Sequence, residues 1–328
     1  MSSIIEVKIA QLSKITELKR HTLNARIKSY FNKTEIKRSS ANQILLSPIQ
    51  VAKVIEDRVI KNSTGKFVMV GNLKGGVGKT TISYILAESL RLLGFKTCCV
   101  DLDIQANLTK LYFEATPETP VFYDIVDEKI KIKDSLVAVT ENLSLLPSSL
   151  RNSLLQKSLS SQKPKHHVSW LNSLCLNYLR NAFDYVVIDT PPNLNTINSV
   201  FSLCMSSIDN ILIPVCAESF SSIGVKMFLD DIIEIRQSYH IQEDTKISVI
   251  MNRFLQNQKN NLHMLVKMSN EFEGLFSETV IRENAKIKEI INNKADILSS
   301  AYNKNNEMTD TIRSLLQEIS VLKSLKAE

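Results

Sequence analysis

Phe67-Val-Met-Val-Gly-Asn-Leu-Lys-Gly-Gly-Val-Gly-Lys-Thr-Thr81 is the stretch that decides how this chain folds. Its first four residues are an unbroken apolar run, which reads as a strand buried on both faces. From Ile82 to Leu93 apolar residues recur at helical spacing. A strand, a glycine-rich turn ending in Gly-Lys-Thr, and a helix make a phosphate-binding loop. Gly75, Gly76 and Gly78 let backbone N–H groups turn inward onto phosphate oxygens, with Val77 and Thr81 in the same cradle. The following helix adds its positive N-terminal end. Lys79 is placed for the β- and γ-phosphates of a nucleotide, and the Thr80 hydroxyl for Mg²⁺. The common form of the loop has glycine five residues before Gly78; here Leu73 stands there, with a second lysine, Lys74, beside it.

Downstream, short apolar runs alternate with helical stretches. The runs are Thr97-Cys-Cys-Val-Asp101, Leu143-Ser-Leu-Leu146, Tyr185-Val-Val-Ile-Asp189, Asn210-Ile-Leu-Ile-Pro214, Ile247-Ser-Val-Ile-Met251 and Val280-Ile281. That alternation predicts an α/β domain with a mostly parallel sheet and helices on both faces. Two of the runs end in acids. Val100-Asp-Leu-Asp-Ile-Gln-Ala-Asn107 supplies Asp101 and Asp103, and Tyr185-Val-Val-Ile-Asp-Thr-Pro-Pro192 supplies Asp189 at a strand's carboxyl end, where ligands of such sheets bind. A single Asp ending a strand is usually a cap; three acids at two strand ends beside one phosphate loop form a candidate site.

Residues 1–65 have a different texture. They hold 12 Lys/Arg against 5 Asp/Glu, while the whole chain of 328 residues has a net charge of +6, so the excess positive charge lies in the first fifth. This favours an acidic partner such as nucleic acid, or simply a solvated helical surface. Helices are predicted over 1–31, over Lys33–Ala41 capped by Asn32 with Glu35 reaching back, and from Ser47-Pro48 to Ile60. Asn62-Ser-Thr-Gly65 is a breaker cluster that marks the expected boundary between a small α-helical N-terminal region and a domain of residues 66–328. A helix pair in a basic segment is compatible with a helix-turn-helix or with a dimerising pair.

The remaining composition sets limits. With 44% hydrophobic and 23% charged residues the chain is neither disordered nor a small disulfide scaffold. No apolar stretch is long enough to span a bilayer, and the apolar run near Met1 carries a charge, so a cytoplasmic protein is expected. Cys98, Cys99, Cys175, Cys204 and Cys216 lie singly or adjacent in apolar segments without metal-ligand spacing, and read as buried thiols. His166 and His167 fall in a Lys/Ser/Gln-rich stretch that reads as a loop.

Taken together, Lys74-Gly-Gly-Val-Gly-Lys-Thr-Thr81 and the two acidic motifs resemble the deviant Walker A loop and its companions in the ParA/MinD ATPases, most closely the ParA partition proteins. The similarity runs over about residues 66–320. It implies a P-loop NTPase fold, ATP with Mg²⁺, and a sandwich homodimer in which Lys74 reaches the partner's nucleotide. By the same resemblance Asp103 orients and activates the attacking water, although Ile104 replaces the family's usual proline after it. Asp101 supports the Mg²⁺ shell, and Asp189, the Walker B acid, holds the ion through water. Asn193–Val200 resembles a dimer-interface segment, Ile211–Gly224 the family's next strand and turn, and Asn252 the asparagine that reads the adenine edge. Thr279–Glu289, with Arg282, Lys286 and Lys288, resembles the surface where ParA proteins bind DNA non-specifically; on a helix Arg282 and Lys286 would share one face. The family expectation is a DNA-segregation ATPase on the nucleoid, released from DNA by hydrolysis that a ParB-like centromere-binding protein stimulates, and capable of repressing its own operon.

Two other readings stand beside it. A MinD-like membrane ATPase would end in a basic amphipathic helix with aromatic anchors. Here Ile312, Leu315, Leu316, Ile319 and Leu322 form a stripe suited to core packing, without an aromatic anchor, and no membrane partner is expected. A transcriptional repressor using nucleotide as co-ligand would draw on the basic residues 1–65. An iron–sulfur carrier needs an interface cysteine pair and a tyrosine kinase of related fold a tail tyrosine cluster; Cys98 and Cys99 sit in a strand, and only Tyr302 lies near the end.

Overall fold

The computed structural model describes residues 6–127, 129–155, 175–192, 208–217, 222–239, 245–293, 297–298 and 307–323. Cys204, the His166-His167 pair, the segment 193–200 and Tyr302 lie outside them.

The N-terminal region is a mixed unit. It runs β1 (Val7–Lys8), α1 (Ile9–Thr16), α2 (Arg20–Tyr30), a single 3₁₀ turn at Lys33–Glu35, β2 (Lys37–Arg38), β3 (Ile44–Leu46) and α3 (Pro48–Val54). The strands form an antiparallel sheet in the order β1-β3-β2. Three expectations are corrected here. The helix predicted over 1–31 is two helices, broken where Glu17 takes a left-handed conformation (φ 61°). The Asn32 cap forms, with Glu35 accepting from the Asn32 N–H at 2.7 Å, but the helix stops after one turn because the chain leaves to pair with β3. The Ser47-Pro48 helix starts as read, with Gln50 and Ser47 capping each other, yet ends at Val54. Beyond it Val59 bridges to Leu322 and the Ile60 N–H donates to Val321, so tertiary pairing overrides the helical periodicity.

From Lys66 the alternation appears as predicted: β4 (Lys66–Val70), α4 (Lys79–Leu92), β5 (Thr97–Asp101), α5 (Asn107–Tyr112), α6 (Phe122–Val126), α7 (Ile132–Ser135), β6 (Val137–Thr140), β7 (Leu143–Leu146), α8 (Asn177–Ala182), β8 (Tyr185–Asp189), β9 (Ile208–Cys216), α9 (Ser222–Tyr239), β10 (Lys246–Phe254), α10 (Lys259–Glu271), β11 (Phe276–Arg282), α11 (Ala285–Asn292) and α12 (Glu307–Glu318). Eight strands make one sheet in the order β11-β10-β9-β4-β8-β5-β7-β6, parallel except for β6 at the edge, which the sequence reading did not foresee. Burial alternates along each central strand. Val68, Val70, Cys99 and Val187 pack into one apolar cluster, and Phe67, Met69, Cys98, Val100, Val186 and Ile188 into the other. This two-faced burial is why the runs are continuous rather than alternating.

Apolar residues on both sides of Gly65 share one of these clusters: Leu12, Ile15, Leu23 and Ile27 join Leu86, Leu90, Ile312 and Leu316. The stripe Ile312, Leu315, Leu316, Ile319 and Leu322 is buried, as its spacing predicted. Gly65 itself is a point of close approach. A Cβ there would lie 2.2 Å from the Phe183 carbonyl oxygen.

Candidate functional site

Three neighbouring parallel strands, β5, β8 and β4, end at one level. Asp101 is aligned with Asp189, and Asp189 with Val70, after which the chain enters the glycine-rich loop. Hydrogen-bond register alone therefore sets two carboxylates beside the phosphate loop, with Asp103 two residues past a strand end.

The loop is braced from below. Val77 is buried, and its carbonyl accepts from the Asn252 amide at 2.8 Å and the Cys216 thiol at 3.6 Å. Asn72 donates to the Pro214 carbonyl at 2.8 Å and accepts the Lys74 N–H at 2.9 Å. Lys79 Nζ reaches back to the Lys74 carbonyl at 3.0 Å, closing the loop on itself. Gly78 is needed twice over: its φ is +92°, and a Cβ would sit 2.3 Å from Asn252 Nδ2. Gly75 and Gly76 are exposed, with open space around them. The loop thus has open space beside Gly75 and Gly76, just before the start of α4, where Thr81 lies half-buried.

Asp189 is fully buried and accepts from Thr80 Oγ1 at 2.7 Å and Ser83 Oγ at 3.1 Å. Burial, and then the Asp101 charge, push its carboxyl up to about 8, more than those two hydroxyls and Lys79 offset. Asp101 is also pushed up, to about 6, by burial. Its oxygens are both engaged: Oδ1 takes the Asp103 N–H at 3.1 Å, and Oδ2 takes the Thr109 N–H and hydroxyl at 2.8 and 2.7 Å. Asp101 therefore ties down the loop that carries Asp103. Asp103 is buried and accepts from the Gln105 N–H at 2.9 Å, with Ala106 in a left-handed conformation closing the turn. Burial pushes the Lys79 ammonium down, opposed by Asp189 and Asp103.

The donors fit a hard divalent cation. A hydroxyl and carboxylates are oxygen ligands, and Asp189 is a buried acid held far above its ordinary range, the state that a nearby cation reverses. Among the described residues no three His, Cys, Asp or Glu stand together as a complete metal cage. Mg²⁺ takes one or two carboxylates and fills its shell with water and phosphate oxygens.

Lys74, Gly75, Gly76, Val77, Gly78, Lys79, Thr80, Thr81, Asp101, Asp103 and Asp189 thus meet at one edge of the sheet. Asn252 lies beneath the loop, its amide nitrogen on Val77. The reading missed Ser83, Asn72 and Thr109. Ser83 was findable, being three residues past Thr80 on one helix face; nothing in the sequence marks Thr109. One geometric expectation is corrected. Arg282 ends β11, and the next helix begins only at Ala285, where Asn284 Oδ1 accepts the Lys286 N–H at 2.8 Å. Arg282 and Lys286 are both exposed, but on a strand end and a helix start rather than on one helix face. Lys288 lies on the same helix, α11.

Comparison with known proteins agrees with this geometry. A family model described as an AAA domain matches residues 65–249, more than half of the chain. The sporulation initiation inhibitor protein Soj of Bacillus subtilis is 28% identical over 230 residues, covering 69% of this chain and 87% of Soj. The chromosome partitioning protein ParA of Myxococcus xanthus is 26% identical over 236 residues, 69% of this chain and 78% of that protein. Among solved structures, a plasmid partition protein of Borrelia burgdorferi bound to AMPPNP superimposes with a TM-score of 0.62 at 25% identity, over 77% of this chain and 99% of that one. The ATP complex of Cyanothece McdA shares the fold, with a TM-score of 0.67 at 22% identity over 81% of this chain and all of that one. With its phosphate loop, strand-end acids and parallel sheet all accounted for, the chain belongs to the ParA family of P-loop ATPases.

Proposed function

We propose that this ATPase drives the partition of a DNA replicon, hydrolysing Mg²⁺–ATP as a nucleotide-sandwich dimer on DNA. The observation that carries the reading is one arrangement: Thr80, Ser83 and buried Asp189 in hydrogen-bond contact at the foot of an open glycine loop that bears a second lysine, Lys74. When bound, Mg²⁺ would neutralise charge on the β- and γ-phosphates. Thr80 and Asp189 would hold it, with Asp101 supporting the shell from the adjacent strand. Lys79, held by the Lys74 carbonyl at 3.0 Å, would instead serve the phosphate oxygens. Asp103, two residues past the end of β5, would orient the attacking water. The Lys74 side chain would meet a nucleotide across the dimer. Asn252 reads the adenine edge from its braced position on β10.

DNA without sequence preference would be held by exposed Arg282 and Lys286, together with Lys288. Lys286 pairs with Glu289 at 2.9 Å, so its charge is partly neutralised until phosphate replaces the glutamate. Hydrolysis, accelerated by a centromere-binding partner of the ParB type, would release the DNA. The protein would then work on the nucleoid in the cytoplasm. No helix among the described residues is long and apolar enough to cross a membrane, and the stripe that a MinD-like tail would expose is buried in the core.

The experiment is ATP turnover and sedimentation with DNA present. Asp103→Ala should bind ATP and dimerise but turn over at least about 100-fold more slowly, the lower end of the range for a positioned acid or base. Lys74→Ala should bind ATP yet sediment as a monomer. Wild-type turnover by Asp103→Ala, or a normal dimer from Lys74→Ala, removes the corresponding role.

A further inference from the structure

Behind the nucleotide edge of the sheet, four polar residues are sealed from solvent in one hydrogen-bonded row. Asp101, Thr109, Ser148 and Asn152 are all fully buried. They come from separate places: the end of β5, α5, the chain just past β7, and a 3₁₀ segment at Leu150–Leu154. Thr109 Oγ1 is the junction. The Ser148 N–H donates to it at 2.9 Å, and it lies 2.7 Å from Asp101 Oδ2. An N–H can only donate and an ionised carboxylate only accept, so Thr109 takes a hydrogen bond from Ser148 and gives one to Asp101. The row continues away from the site. Ser148 Oγ accepts from Asn152 Nδ2 at 2.8 Å, and Asn152 Oδ1 accepts the Tyr123 N–H of α6 at 3.0 Å.

The other end of the row controls a turn. Asp101 Oδ1 holds the Asp103 N–H at 3.1 Å, while Oδ2 holds both the hydroxyl and the N–H of Thr109. Between these two anchors the Gln105 N–H donates to Asp103 Oδ1 at 2.9 Å and the Ala106 N–H to the Asp103 carbonyl at 2.8 Å. Ala106 has φ 54°, a left-handed conformation that a residue other than glycine keeps only where its surroundings enforce it. Ala106 is also the N-cap of α5 and has no side-chain oxygen for that helix's first N–H groups. Asp101 serves in its place, from the neighbouring strand. One carboxylate thus closes both ends of the turn that carries Asp103.

We infer that Thr109 is a positioning residue for ATP hydrolysis: its hydroxyl, aimed by the Ser148 N–H, anchors Asp101 and so holds the turn that places Asp103. This rests on the water-orienting role proposed for Asp103. The phosphate loop and Lys79 are braced separately, by Asn72, Asn252 and the Lys74 carbonyl, so ATP affinity does not depend on the hydroxyl. Turnover does, because a group displaced by about 1 Å can lose about 100-fold in rate.

The test uses the full chain with Mg²⁺–ATP and DNA. Thr109→Val keeps the branching and volume and removes the hydroxyl. Its kcat should fall about 10–100-fold, as for other supports of a reacting group, with KM within about threefold of wild type. Thr109→Ala, which puts no methyl against the carboxylate, should show the same fall. Thr109→Ser, which restores the hydroxyl, should stay within about threefold of wild-type kcat. Ser148→Ala is the matched control: it removes a buried hydroxyl of the same row but keeps the N–H on Thr109. Its thermal midpoint should drop as that of Thr109→Val does, with kcat within about threefold of wild type. In the ligand-free protein the amides of Asp103, Gln105 and Ala106 should exchange at least about tenfold faster in Thr109→Val than in Ser148→Ala. Adding Thr109→Val to Asp103→Ala should slow turnover by no more than about twofold further, since both act through one group. Multiplied losses in that double variant, or an equal fall of kcat in Ser148→Ala, overturn the positioning role. Wild-type kcat in Thr109→Val beside a slow Asp103→Ala overturns it as well and leaves the proposed function standing. Wild-type turnover by Asp103→Ala removes the water-orienting role, and this inference with it.

Discussion

Two buried carboxylates stand at opposite ends of the same sheet and are treated in opposite ways. Asp189, at the carboxyl ends of the strands, has two hydroxyl donors and another acid, Asp101, on the adjacent strand; its carboxyl is pushed up to about 8. Glu318, near the amino ends of β10 and β11, accepts from Ser248 at 2.6 Å, Thr279 at 2.8 Å and Ser277, and pairs with Lys246 at 2.8 Å. Its carboxyl is held below the usual range: those donors outweigh the burial that opposes them. Burial is common to both; the supply of donors differs. A carboxylate meant to hold the fold together is given its partners by the chain. Asp189, which on the proposed function meets a cation, is left short of them, and a bound cation would complete it.

The comparison can be broken most decisively at Glu318. Removing it in Glu318→Ala leaves buried Ser248 and half-buried Ser277 and Thr279 without their acceptor and should cost about 3 kcal/mol in denaturant unfolding. A loss under about 0.5 kcal/mol would mean that the cluster holds nothing together. Asp189→Asn should act in the opposite direction. Its folded value lies above the ordinary 3.8, so its charge opposes folding progressively from about pH 4 to about pH 8. The ligand-free variant should therefore gain roughly 1–3 kcal/mol at pH 8, and nothing at pH 4 where the wild-type group is already neutral. Mg²⁺–ATP should stabilise the variant far less than the wild type. A variant less stable than wild type at pH 8 would place Asp189 among the structural carboxylates.

Glu318 predicts the mirror-image pH dependence. Its stabilisation is complete above the ordinary glutamate value of 4.5 and fades as pH falls through the lower folded value. The stability difference between wild type and Glu318→Gln should be constant near neutrality and shrink in acid; a flat difference into acid would contradict the pairing. The smallest effect belongs to Ser83→Ala. It removes one of the two donors to Asp189, should change ligand-free stability by about 1 kcal/mol or less, and should weaken Mg²⁺–ATP severalfold by leaving the carboxylate less readily ionised. No change in either would show that Thr80 alone positions Asp189.

The nucleotide edge was legible in the sequence because its signals are local. Val70 to Thr81 is contiguous, and Asp101 and Asp189 follow apolar runs whose strandedness is plain; parallel register then brings them level. What was missed depends on contacts across the chain. Thr109 meets Asp101 only through the turn at Ala106, and Glu318 collects donors from β10 and β11. Residues 33–41 show the same limit. The Asn32–Glu35 cap was read correctly, but the helix it should start gives way to β2, whose partner β3 follows a turn at Asn42. The edge strand Val137–Thr140 went unread although Leu136-Val-Ala-Val139 is a continuous apolar run; it is largely half-exposed and pairs antiparallel with β7.

The packing of α1 against α12 has a consequence for how the chain comes to fold during synthesis. Gln11 and Leu298, which touch, are 287 positions apart. At about 5–20 residues per second the ribosome needs roughly 15–60 s to cover that distance. Throughout this interval the inner faces of α1 and α2 have been made but the helix that covers them has not. Leu12 and Ile15 must wait exposed, or in the care of a chaperone, while the ATPase sheet assembles behind them. A segment made early is then among the last to be sealed, and a nascent chain stalled before residue 307 would carry that apolar face uncovered.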